Sequence, residues 1–349
     1  MVSWVPLSSP SGATEFDRVF GLRANLYAHY RDFYARLWEP SVLDTITTEL
    51  CRLRVAQLLR CRSQLRTRSR PALDAGLTEA TVTALASWPT SESFDDTVRA
   101  CLGLVEQFVI DPSGVRAADR AAVHGALGFS GLVGLTQVAA CFDGFDRFRL
   151  VLGLDDAAPI DASGAPVVEE VGRPDPSVPP VAARTGNDPA GGFAAAQPDL
   201  FASFERLYAA LWSAGVVDHP SKELARLRNA RVTGCRFCRN VRFERARRDG
   251  LSEAMVDLVT DGYEASTLSD AHKAVLALAD AFLIDPWAGP DTATREALLE
   301  HYGPEGVVEL VAGLALFVGF SKIAVALDAF PDDFPTTVIP TPGEHRATR

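Results

Sequence analysis

Residues 48–56 read TELCRLRVA, and 174 positions later residues 222–230 read KELARLRNA. The same offset lays Tyr34-Ala35 and Leu37-Trp38 on Tyr208-Ala209 and Leu211-Trp212, Cys61 on Cys235, and Arg68 on Arg242. It also lays Gly76-Leu77 with Glu79-Ala80 on Gly250-Leu251 with Glu253-Ala254. Phe108 and Ile110-Asp111-Pro112 fall on Phe282 and Ile284-Asp285-Pro286. One inserted residue then brings Phe142 and Phe145 onto Phe317 and Phe320. A single register held over so many positions marks a tandem duplication.

Within each copy the pattern is helical. Leu50, Leu53 and Ala56, like Leu224, Leu227 and Ala230, recur at spacings of three. Gly76 and Gly250 read as helix ends, each followed by a new cap at Thr78 or Ser252. Asp285-Pro286 stops the helix over 271–284, because a residue before proline disfavours the α region. Gly303-Pro304 restarts the chain into a last long helix over 307–327. No sustained two-residue alternation is present, so the expected fold is all-α. Copy 1 is expected over residues 1–155 and copy 2 over 194–332. Residues 156–193 form a Pro/Gly/Ala-rich linker, and 333–349 an irregular tail.

Composition narrows the function. The 349 residues carry 45 acids against 34 bases, a net charge of −11, which argues against a nucleic-acid or anionic-membrane binder. The start, MVSWVPLSSPSGATEF, lacks a basic segment followed by an apolar run, so a cytoplasmic protein without a secretory signal is expected. The most apolar stretch, 306–327, is interrupted by Glu309 and Lys322 and reads as a buried core helix.

Of six cysteines, only Cys235 and Cys238 are close in sequence. On a helix such a pair shares a face and can form a disulfide. Thiolate is favoured by positive charge and by a helix N-terminus. Gly234 is placed to open a helix, and nine arginines lie between Arg226 and Arg248 against one acid, Glu244. The bland reading is two buried cysteines behaving as small hydrophobes. A zinc site needs two further ligands, and His219 and His272 lack ligand spacing. No metal is expected.

The run Glu223-Leu224, Arg226-Leu227-Arg228, Gly234-Cys235, Cys238 and Gly250-Leu251 resembles the carboxymuconolactone decarboxylase/alkylhydroperoxidase AhpD-like family. The likeness covers the core of copy 2 and, through the repeat, about three quarters of the chain. It implies an all-helical, oligomeric protein and, in the redox branch, thiol-dependent reduction of hydroperoxides without a cofactor. Carried over by position, Cys238 is the attacking thiol, Cys235 the resolving thiol and Glu223 a proton-relay carboxylate. The resemblance further implies a thiol or lipoyl-type reductant protein. A trimer of tandems imitating a hexamer is the expected assembly.

Two departures stand out. Where redox members carry histidine four residues after the second cysteine, this chain has Arg242, and copy 1 has Arg68. Arginine stays charged and cannot accept the thiol proton, although it can favour a thiolate or hold an anion. Copy 1 keeps Cys61 but has Gln64 at the second cysteine position and Arg60 at the glycine. Two other functions stay open: a redox-silent scaffold that binds a small molecule, and a decarboxylase or other lyase acting on an anionic metabolite held by Arg228 or Arg242.

Overall fold

The duplicated register is visible first in the helix caps. Asp44 accepts from the Thr47 amide and Asp218 from the Ser221 amide, starting the two helices that carry the repeated motif. A computed structural model describes residues 3–6, 14–155, 166–179, 189–331 and 333–344. Copy 1 comprises α1 (Ala24–Leu37), α2 (Thr45–Leu59), α3 (Arg62–Leu65), β1 (Thr67–Ser69), α4 (Asp96–Ile110), α5 (Ala117–Val151) and β2 (Val167–Glu169). Copy 2 repeats the order as α6 (Pro198–Ser213), α7 (His219–Val232), α8 (Arg236–Asn240), β3 (Val241–Phe243), α9 (Asp270–Ile284), α10 (Thr292–Ala326) and β4 (Thr337–Ile339). Shorter helical turns fill the connections. The all-α duplication read from sequence is the fold.

The long helices α5 and α10 each break at a glycine. Gly128 and Gly303 adopt φ of 71° and 63° with extended ψ, a backbone state that L side chains rarely adopt. Pro304 follows in the first turn of the new segment, where its missing N–H costs nothing.

The regions read as linker and tail are less irregular than their Pro and Gly content suggests. Val167–Glu169 pairs in parallel with β1, and Thr337–Ile339 pairs in parallel with β3. After its long helix, each copy returns a strand to the segment that follows α3 or α8. Three residues are too few to show alternation in sequence. The edge of β1 or β3 nonetheless has backbone groups that need partners, and the returning chain supplies them. The remaining linker positions, 156–165 and 180–188, and the tail from 345 lie outside the described residues.

One hydrophobic core runs through both copies. Helix α5 packs on α10, and α1 on α6. The first crossing is close. A β-carbon on Gly144 would collide with the Ala315 carbonyl, and one on Gly319 would lie 3.0 Å from the Ala140 β-carbon, the pseudo-symmetric equivalent. Gly144→Ala is therefore expected to destabilise by about 1–3 kcal/mol through overpacking, read from urea unfolding. Two helices, 117–151 and 292–326, are long and apolar enough to cross a membrane; the most apolar window of α10 is 94% buried inside the fold.

Polar groups pin the same interface. Lys322 donates to the Val109 carbonyl at 2.7 Å, and Arg147, its counterpart, donates to the Leu283 carbonyl at 2.8 Å. Asp143, fully buried, pairs with both cations, at 2.8 Å to Arg147 and 2.7 Å to Lys322. Burial alone would raise its carboxyl pKa, but the charges of Arg147 and Lys322 outweigh that and hold it below the usual range.

Candidate functional site

Cys235 is the N-cap of α8 rather than a residue within it. Gly234 does not open the helix; it takes φ 72° in the turn before, and Cys235 Sγ accepts from the Cys238 amide at 3.3 Å. Cys238 thus sits in the first turn, where the helix N-terminus favours thiolate. The two cysteines are disulfide-bonded, with Cα atoms 5.3 Å apart. Both are buried, yet they are not equivalent: Cys238 lines a cavity of about 710 Å³, and Cys235 lies behind it.

The cavity wall is largely aromatic. Phe201, Phe204 and Tyr208 come from α6, Phe237 from α8, Phe243 from β3, and Phe317 and Phe320 from α10. The tail closes one side with Ile339–Glu344, held by β4 pairing and by Arg245 and Arg248 bonding to Glu344. Sequence reading missed this wall, because nothing in a proline-rich tail says where it folds back. It also missed Ser321, whose Oγ donates to Cys238 Sγ at 3.4 Å. The available signal was a polar residue inside the apolar run of α10.

Glu223 stands in the frame around the cysteines. Its carboxylate, fully buried, is held bidentately by Arg226 at 2.7 and 2.8 Å and accepts from the Phe243 amide at 3.2 Å. Arg226 spends its other donors on the Cys238 and Val241 carbonyls, both at 2.7 Å. Copy 1 repeats this arrangement. Arg52 holds Glu49 at 2.8 and 2.7 Å and reaches the Gln64 and Thr67 carbonyls. A pair kept intact where the second thiol is missing fixes the backbone of the cysteine turn. Of this pair, Arg226 reaches the cavity wall and Glu223 does not.

The supporting arginines lie elsewhere. Arg228 bonds Asp280 at 2.6 Å and Asp261 at 2.8 Å, as Arg54 bonds Glu106 in copy 1. Arg242 is tied to Glu253 at 3.2 Å and to the Arg239 carbonyl, as Arg68 is to Glu79. Neither lines the cavity among the described residues, so neither is placed to hold an anionic substrate there. The basic cluster is not a free positive field: Arg245, Arg247 and Arg248 pair with Asp249, Glu253 and Glu344, acids beyond the run that sequence reading framed. His219 opens α7 with its ring on Trp212, away from the cavity.

Copy 1 has its own cavity, about 380 Å³, in the equivalent place between Tyr34, Gln64, Thr67 and β2. There Gln64 replaces Cys238, and Asp146 replaces Ser321, its carboxyl pushed up to about 7 chiefly by burial. Cys61 is buried against Asp155; burial, then Asp146 and Asp155, drive its thiol well above the ordinary range. It is no nucleophile. Arg60 adopts the left-handed state that Gly234 takes, with φ 54°. Among the described residues, no three His, Cys, Asp or Glu side chains come together as a metal site.

The profile of the Carboxymuconolactone decarboxylase family matches twice, over residues 24–107 and 198–281. The chain is a tandem member of that family. Both matches begin at the first helix of a copy and end within α4 or α9, so the family's unit is the repeated unit. A curated relative, the uncharacterized protein YdfG of Bacillus subtilis (strain 168), is 24% identical over 111 residues, 32% of this chain and 76% of YdfG. No solved structure matches significantly.

Proposed function

We propose that the protein is a thiol-dependent oxidoreductase that reduces an organic hydroperoxide or a disulfide at Cys238. The observation that carries this reading is the asymmetry of the pair: Cys238 faces a large aromatic cavity, and its bonded partner lies behind it. A cavity of this size and wall chemistry suits a substrate with an apolar body.

The chemistry is as follows. The Cys238 thiolate attacks the outer peroxide oxygen, the O–O bond breaks, and the alcohol leaves with a proton while sulfur becomes sulfenic acid. The Cys235 thiol then attacks that sulfur, water departs, and the disulfide forms. A dithiol reductant, of thiol or lipoyl type, exchanges with the disulfide and restores both thiols. Glu223 acts in this scheme through Arg226, keeping the cysteine turn in place. A pair that cycles between dithiol and disulfide suits a reducing cytoplasm.

The test is peptide mass spectrometry of the reduced protein after stoichiometric cumene hydroperoxide, followed by dithiothreitol. The expected result is a Cys235–Cys238 disulfide that dithiothreitol reverses. Free thiols with peroxide unconsumed would leave a ligand-binding scaffold instead. For assembly, three tandems supplying six family units is the proposal, and light scattering on a sizing column checks it. A strict monomer removes it.

A further inference from the structure

Asn229 on α7 meets Ser321 of α10 at the cavity wall, which Ser321 lines and Asn229 does not. Asn229 Nδ2 donates to Ser321 Oγ at 2.8 Å, and Ser321 Oγ donates to Cys238 Sγ at 3.4 Å. Both residues are buried, Asn229 at 0% exposure and Ser321 at 1%. A serine hydroxyl has one proton and two lone pairs. With the asparagine amide filling a lone pair, the proton is directed to sulfur. The chain of bonds ends on the sulfur that faces the cavity.

The comparison between copies separates this pair from the frame. The ion pairs Glu223–Arg226, Arg228–Asp280 and Arg242–Glu253 all have counterparts in copy 1. The Asn229–Ser321–Cys238 chain has none: its positions hold Val55, Asp146 and Gln64. The three residues are present together or absent together. Asn229 is also retained with its Oδ1 buried and unpartnered among the described residues, a penalty that valine does not carry. Two cations near the thiol are committed, Arg226 to Glu223 and backbone carbonyls, and Arg242 to Glu253.

We infer that Ser321, oriented by Asn229, is the hydrogen-bond donor that stabilises the Cys238 thiolate in the reduced protein. A donor to the charged form lowers a thiol's pKa and raises its reactivity at neutral pH. Ser321 touches the reacting sulfur; Asn229 is a positioning residue that acts through it. The inference deepens the redox reading above and rests on it for its purpose, though not for its test.

The experiment uses the full chain with Cys235→Ser, where serine can still cap α8 and Cys238 is the thiol left at the site. Iodoacetamide alkylation of Cys238 is followed by peptide mass spectrometry between about pH 5 and 10, bracketing an ordinary thiol near 8.5. The parent midpoint is expected below that value. Ser321→Ala is expected to raise it by about one unit and to slow alkylation at pH 7 up to about tenfold. Asn229→Val, the copy 1 residue, raises it less, and Ser321→Thr restores it. An unchanged midpoint in Ser321→Ala overturns the inference; if that variant does not fold, an unchanged midpoint in Asn229→Val does so. Alkylation needs no peroxide, so the two readings fail separately. A shifted midpoint without peroxide turnover keeps this inference and removes the peroxidase reading, while turnover with an unchanged midpoint does the reverse.

Discussion

Cys238→Ser is expected to reduce hydroperoxide consumption by more than about 10³-fold, the scale at which a lost nucleophile leaves only binding. A serine hydroxyl is negligibly ionised at neutral pH and has no counterpart of the sulfenic state. The fold should survive, because Cys238 contributes one small buried side chain at a helix start. Cys235→Ser should behave differently. Cys238 would oxidise once and remain a sulfenic acid, consuming one equivalent of peroxide and then stalling. Stopped-flow peroxide traces distinguish the two, the first flat and the second a single burst. Equal steady turnover in both variants would show that the cysteine pair does no redox chemistry.

Asp143→Asn is expected to cost about 3–5 kcal/mol, the range for breaking a buried ion pair by removing one partner. Asparagine keeps the shape but leaves Arg147 and Lys322 as two buried cations between the copies, without the carboxylate that both contact. A pH signature accompanies it. The Asp143 carboxyl is held low in the folded state, so its contribution is full above the unfolded value of about 3.9. It is lost as acid protonates the folded carboxylate below that point. Wild-type stability should therefore fall steeply below about pH 4, and the variant, already without the charge, should show a shallower acid limb. Urea midpoints across pH measure both effects. A variant within about 0.5 kcal/mol of wild type, the range of an ordinary surface substitution, would remove Asp143 from this role.

The helical duplication was legible because it rests on local rules: a fixed register, leucines at spacings of three, and glycines before new caps. The sequence also pointed to the cysteine turn. It did not separate frame from chemistry. Glu223, Arg228 and Arg242 drew attention as repeated or motif positions, and repetition is what a frame ion pair produces when both copies need it. The partners of Arg228 and Arg242, which are Asp261, Asp280 and Glu253, lie 11 to 52 residues away, where no helical spacing points to them. Asn229 and Ser321 escaped notice for the opposite reason. They differ between copies, and each stands alone on its helix until the fold brings them together across 92 residues. The cavity wall at Ile339–Glu344 was illegible because three-residue strands carry no period and prolines read as punctuation.

The close crossing of α5 and α10 has a consequence for how the chain is made. Synthesis delivers copy 1 first, with the face of α5 around Ala140 and Gly144 lacking its counterpart until α10 emerges, some 170 residues later. During that interval an apolar surface shaped to receive one particular helix is open to any chain that carries it. A neighbouring polypeptide at high concentration carries the same helix. First and second halves of different chains then join through the contacts that either chain makes with itself, and the product is a swapped dimer stabilised by native interactions. Refolding at increasing protein concentration should enrich that species, and dilution of already folded protein should leave it in place, since separation requires the interhelical core to open.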